Sequence, residues 1–198
     1  MLPPSDRLTV CFAHAAYQMQ TRFEARKSGI GCFQVRRRED LAARIGEADI
    51  VCVSMMWDNA LIPRARKLRF IQSISAGIDQ YDRAALSAAG IRLASAAGVN
   101  ANAVAEHAMA LMLAIARRLP EARDNQGKHV WRGMISDFGG REDELAGKTL
   151  LIVGLGRIGG RIARLAKAFD MRVVATRRDP SAGAGAADRV AGMDGLAG

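Results

Sequence analysis

Cysteine is scarce, with three in 198 residues, at positions 11, 32 and 52, and no CxxC pair among them. An odd number without repeated spacing argues against a disulfide framework and against a thiolate metal cluster. Cys11 and Cys52 stand inside apolar runs, which predicts buried structural thiols in a reducing compartment. No run of apolar residues approaches the roughly 20 that a membrane helix needs. The longest candidate, residues 103–116, is broken by Glu106 and His107. Residues 1–9 lack an apolar core followed by a small-residue cleavage site, so no secretory leader is expected there. These absences predict a cytoplasmic chain with no membrane partner. No His, Cys and carboxylate cluster has ligand spacing, and no metal is expected.

Aromatic residues are also few, at 5%. That bears on the formal charge of +9, which would otherwise suggest a nucleic-acid partner. The only true basic run, Arg36-Arg37-Arg38, has no aromatics interleaved for base stacking. A solvated basic surface is the expectation, and no nucleic-acid partner. What the chain does have is a 49% hydrophobic content rich in small residues, enough for a packed core.

Apolar runs alternate with helix-like segments, the pattern of parallel βαβ units. Strands are predicted at residues 8–13, 32–35, 49–54, 70–75 and from 91 to 94. Helices are predicted at 17–27, 40–46 and 82–89, the last ended by Gly90. This series reads as one flavodoxin-like lobe. A long helix then carries Val104, Ala108, Leu111, Met112 and Ile115 on one face; Asn102 is its expected N-cap and Pro120 its stop. Residues 121–144 read as polar and irregular. A second unit follows, with strand 148–153, helix 157–169 and strand 171–176. Residues 181–198 read locally as a flexible tail, or as a domain interrupted before its next strand. The fold class predicted is therefore α/β, with a flavodoxin-like lobe over 1–97 and an incomplete Rossmann lobe, a doubly wound parallel sheet, over 98–198.

The strongest local signal is Gly154-Leu155-Gly156-Arg157-Ile158-Gly159. It directly follows an apolar strand and opens an amphipathic helix, the context that a dinucleotide fingerprint requires. Gly154 would permit the tight turn, Gly156 the close approach of a pyrophosphate, and Gly159 close helix–strand packing. Roughly 20 residues beyond the glycines, NAD-preferring sites place an acid that bonds the ribose hydroxyls. Here that place, after Thr176, holds Arg177 and Arg178. Guanidinium groups suit a 2′-phosphate, so NADP is favoured over NAD, with Asp179 the contrary feature.

Three ordered motifs then carry a family resemblance. Ser73-Ile74-Ser75-Ala76-Gly77-Ile78-Asp79 resembles the substrate loop of the D-isomer-specific 2-hydroxyacid dehydrogenases. The segment from Gly98 through Asn100 and Val104 to His107 resembles the start of their inter-domain helix, and Leu145-Ala146-Gly147-Lys148-Thr149 their cofactor-domain entry. The resemblance implies a two-lobed NAD(P)-dependent oxidoreductase acting on a small 2-oxo or 2-hydroxy acid in the cleft between lobes. It implies that amides around Ser75, Ala76 and Gly77 hold the substrate carboxylate. Asn100 and Val104 would lie near the nicotinamide, and the long helix and the segment after it would form a homodimer. In the family the catalytic arginine, its acidic partner and the histidine all follow the position of Arg178. This sequence offers no residue for those three roles, and no activity is expected of it by itself. His14, His107 and His129 read as loop, helix and polar-segment residues, and Glu106 as a hydrogen-bonding one. Two other readings stay open at this point, a non-catalytic dinucleotide sensor of the corepressor type and a nonfunctional gene fragment.

Overall fold

The computed structural model describes residues 2–196, so the outermost residues of the stretches 1–9 and 181–198 lie outside the described residues. The chain divides into two compact units, Met1–Ala97 and Gly98–Gly198.

In the first unit five parallel strands, β1 (Thr9–Ala13), β2 (Gly31–Val35), β3 (Ile50–Val53), β4 (Phe70–Ser73) and β5 (Arg92–Ala94), run in the order β2-β1-β3-β4-β5. Both faces of this sheet are covered, which is why its strands read as continuous apolar runs. On one face Cys11, Ala13, Val51, Val53 and Ile71 pack with Leu41, Ile45, Leu68 and Leu86. On the other, Val10 and Phe12 pack with Met19 and Phe23. Asp49 fixes the start of β3 beside β1, its carboxylate accepting the Thr9 N–H at 3.0 Å.

Three helices complete the unit: α1 (Met19–Glu24), α2 (Arg38–Arg44) and α3 (Arg83–Ala88). Asp82 caps α3, accepting from the Ala85 N–H at 2.9 Å, and Gly90 ends that segment at φ +69°. The first helix is shorter than the predicted 17–27. Gln34 takes up its leading backbone groups, donating to the Tyr17 carbonyl and accepting the Gln20 N–H.

The second unit begins with α4 (Ala101–Ala116), which buries Ala105 and Met109. Asn100, not Asn102, is its N-cap residue, and no side chain caps it. The helix ends before Pro120. Arg118 takes a left-handed conformation at φ 49° and a new helix, α5 (Leu119–Gly127), starts there. Pro120 lies in the first turn of α5, where a missing N–H breaks no helical bond. The predicted irregular stretch is thus helical in its first part.

Strands β6 (Thr149–Val153), β7 (Arg172–Thr176) and β8 (Arg189–Ala191) form a parallel sheet in the order β6-β7-β8, with α6 (Arg157–Ala168) between the first two. Ile152, Val173 and Ala175 pack with Ala163 and Ala166 of α6 and with Met109 of α4. The reading of residues 181–198 as a flexible tail is overturned by β8. Asp188 anchors it. Its carboxylate accepts the Val173 N–H at 2.7 Å and pairs with Lys167 Nζ at 2.8 Å. Hydrogen bonding to Lys167, the Val173 N–H and the nearby positive charge hold its pKa below the usual carboxylate range.

Candidate dinucleotide and substrate sites

The glycine turn is built by backbone geometry. The carbonyl of Thr176, at the end of β7, accepts from Gly154 N at 3.1 Å and Leu155 N at 2.8 Å. This locks the turn after β6 against the neighbouring strand. Gly154 sits at φ +99°, a region that side chains disfavour. A Cβ on Gly159 would press into the carbonyl oxygen of Gly154 and lie 3.0 Å from Ile152 Cγ2, so helix and strand meet there. A Cβ on Gly156 would meet nothing within 4 Å. The protein leaves that space open beside the first turn of α6, whose N–H groups have no helical acceptors and attract negative charge. A pyrophosphate fits this combination.

The other residues of the turn divide by role. Leu155 is buried in the unit's core, so only its backbone faces outward. Ile158 is part-exposed on α6. The Arg157 side chain runs across Gly98, where a Cβ would be 2.7 Å from Arg157 Cδ; Gly98 itself is at φ +89°. Thr176 is 2% exposed and its hydroxyl oxygen has no hydrogen-bond partner, an unsatisfied polar atom at the strand end where a ribose would sit.

Arg177 is half-buried, and its Nη1 donates to the carbonyls of Ala182 at 3.2 Å and Gly183 at 2.7 Å. Arg178 is exposed. Asp179 is turned onto Ser181, accepting from its N–H at 3.0 Å and its hydroxyl at 2.6 Å. Those bonds first, and the Arg177 charge after them, hold its pKa below the usual carboxylate range.

In the first unit, the β4 strand leads into the Ser75–Gly77 loop. The N–H of Ser75 donates to Ser73 Oγ at 3.2 Å, its carbonyl accepts from Ala96 N at 3.0 Å, and its hydroxyl is bonded to that of Ser54. Ser75 therefore supports the loop. Ala76 and Gly77 are exposed, and their N–H groups have no partner among the described residues. Two free adjacent amides suit a carboxylate. Asn100 and Val104 lie exposed at the start of α4, the Asn100 carbonyl accepting the Val104 N–H at 3.0 Å.

No histidine is hydrogen-bonded to a carboxylate among the described residues. His14 accepts two backbone N–H groups. His107 and Glu106 are exposed on α4, and the Glu106 side chain has no hydrogen bond among the described residues, against its reading as a hydrogen-bonding residue. His129 is exposed at φ 55°. The stacked pair of His14 and Tyr17 escaped the sequence reading, because two of the residues that hold its loop, Gln34 and Arg36, come from a neighbouring strand and the residue after it.

Comparison with known proteins agrees with this arrangement. Residues 109–197 match the family described as D-isomer specific 2-hydroxyacid dehydrogenase, NAD binding domain. D-3-phosphoglycerate dehydrogenase of Mycobacterium tuberculosis is 37% identical over 140 residues, which are 70% of this chain and 26% of that protein. The chain thus spans about a quarter of the length of the curated relatives it matches first. TT0316 protein from Thermus thermophilus superposes with a TM-score of 0.74 at 28% identity, over 94% of this chain and 61% of that one. A D-isomer specific 2-hydroxyacid dehydrogenase family protein from Aeromonas salmonicida shares the fold, with a TM-score of 0.79 at 24% identity over 96% of this chain and 59% of the other. The glycine turn on its strand, the ordered motifs and these matches agree: the chain belongs to the D-isomer-specific 2-hydroxyacid dehydrogenase family.

Proposed function

We propose that this chain supplies the dinucleotide cradle and the carboxylate loop of an oxidoreductase that moves a hydride between NAD(P)H and a small 2-oxo or 2-hydroxy acid. The observation that carries the reading is the space beside Gly156, open in front of the N-terminus of α6. Gly98–Gly198 is the dinucleotide-binding unit and Met1–Ala97 the substrate-binding unit. Bound nicotinamide provides the hydride chemistry. The chain's own groups orient the partners. Gly154, Gly156 and the first turn of α6 take the pyrophosphate, the strand end from Thr176 to Arg178 takes the adenosine ribose, and the amides of Ala76 and Gly77 take the acid's carboxylate.

The cofactor favoured is NADP. Arg177 stands where a carboxylate would favour NAD, and Asp179 is occupied by Ser181. Arg177 is steadied by two carbonyls, and Arg178 adds a second guanidinium. Even about 1.4 kcal/mol of extra 2′-phosphate binding gives a tenfold preference. Titration of NADPH and NADH at fixed ionic strength checks this. NADPH binds the wild type about tenfold more tightly, and Arg177→Asp reverses the order. Equal affinities in the wild type, or no change in the variant, would make these arginines ordinary surface residues.

The partner proposed for the second unit is another copy of the chain. Leu111 and Ile115 of α4 are exposed, and the segment after α5 leaves Trp131 97% exposed and Phe138 83% exposed. Large apolar side chains left in water are the mark of an interaction surface.

A further inference from the structure

The loop after β1 is held by more side-chain hydrogen bonds than a surface connection needs. His14 Nδ1 accepts the N–H of Ala16 at 3.1 Å and of Tyr17 at 2.8 Å. Gln34 Nε2 donates to the Tyr17 carbonyl at 2.5 Å, and Arg36 Nη1 to the Ala15 carbonyl at 3.2 Å. The rings of His14 and Tyr17 stack with centroids 3.9 Å apart and planes within 13°, yet Tyr17 is 60% exposed. A ring left largely in water gains little from the hydrophobic effect. Stacking covers one face of Tyr17 and leaves the other for a planar partner.

The position of this platform indicates which partner. The strand order reverses between β1 and β3, and open α/β sheets bind ligands beyond the carboxyl ends of their strands at such a point. The register aligns those ends, Ala13 opposite Val53 and Val53 opposite Ser73. Neighbouring strands lie about 4.8 Å apart, so His14 follows β1 roughly 10 Å along the edge from the loop after β4. Between them, after β3, come Ser54, bonded to Ser75, and Met55, 83% exposed. Outward from the free amides of Ala76 and Gly77, the edge offers an exposed thioether and then a stacked aromatic pair.

We propose that Met55 and the His14–Tyr17 pair receive the side chain of the 2-oxo acid, and that this side chain is planar and aromatic, as in phenylpyruvate. The proposal rests on the reading that Ala76 and Gly77 hold the acid's carboxylate. Ring–ring and sulfur–ring contacts are both favourable. A span of roughly 10 Å suits an aryl-substituted acid better than a two- or three-carbon one. A phosphate-bearing acid would want a cation in the same place. Two guanidiniums lie along this edge, Arg38 with one nitrogen donating to the Met55 carbonyl at 2.5 Å and Arg36 with one donating to the Ala15 carbonyl at 3.2 Å, so a phosphorylated acid is the rival ligand that the test must separate.

Backbone amide shifts of the isotopically labelled chain test the proposal, recorded with NADPH present. The acids added are phenylpyruvate, pyruvate and 3-phosphohydroxypyruvate, the oxidised form of D-3-phosphoglycerate. Phenylpyruvate should shift both Tyr17 and Gly77 and bind at least about tenfold more tightly than pyruvate. Tyr17→Leu should remove that advantage and Tyr17→Phe keep it, while pyruvate still shifts Gly77 in both variants. Equal binding of the two acids, tighter binding of the phosphorylated one, or an unaltered Tyr17→Leu would overturn the aromatic assignment. Shifts at Tyr17 without any at Gly77 would support the platform and overturn the carboxylate loop. Silence at both positions would overturn both.

Discussion

Gly159 shows how one missing atom sets the geometry of the cradle. A methyl group there would press on the backbone oxygen of Gly154 and on Ile152, and backbone yields less easily than a side-chain tip. Gly159→Ala is therefore expected to destabilise the second unit by about 1–3 kcal/mol, the range for overpacking a tight contact. Thermal unfolding by circular dichroism measures it, and an unchanged melting temperature would remove the close-packing role. This requirement was legible in the sequence, because Gly159 is the third glycine of a GxGxxG turn between a strand and a helix, the one that close helix–strand packing demands. The surroundings of Arg177 were half legible. Its position along the chain was readable, but its anchoring to Ala182 and Gly183 depends on how residues after Pro180 fold back. The His14–Tyr17 stack was not legible, since two of the residues that hold its loop, Gln34 and Arg36, lie on another strand and just beyond it.

At the scale of elements, most strands could be read because a sheet covered on both faces demands continuous apolar runs. Errors fell where a tertiary contact overrides a local signal. Pro120 signals a stop, yet α4 has already ended and the proline serves α5 instead. The short β8 has little apolar pattern, and it forms because Asp188 bonds to β7 and to Lys167. The segment after α5 reads as polar, but its few large apolar residues, Trp131 and Phe138, point outward. A double variant, Trp131→Asp with Phe138→Asp, is expected to convert a dimer into a monomer in sedimentation at micromolar concentration. A wild-type chain that sediments as a monomer at tens of micromolar would contradict the proposed pairing.

Taken whole, the molecule joins two parallel α/β units, each carrying its exposed chemistry on the loops that follow its strands. The fold was readable from the alternation of strands and helices, and the family from three short motifs in order. The central claim is that the glycine turn receives a dinucleotide pyrophosphate. Gly156 isolates that claim from folding, because a side chain there meets no protein atom within 4 Å while φ of −94° accommodates any residue. The direct measurement is calorimetric titration of NADPH into the wild type and Gly156→Val, with melting temperatures recorded alongside. Binding should weaken by about tenfold or more in the variant, with melting unchanged. A variant that binds NADPH as the wild type does, or a wild type that binds none, would contradict the account.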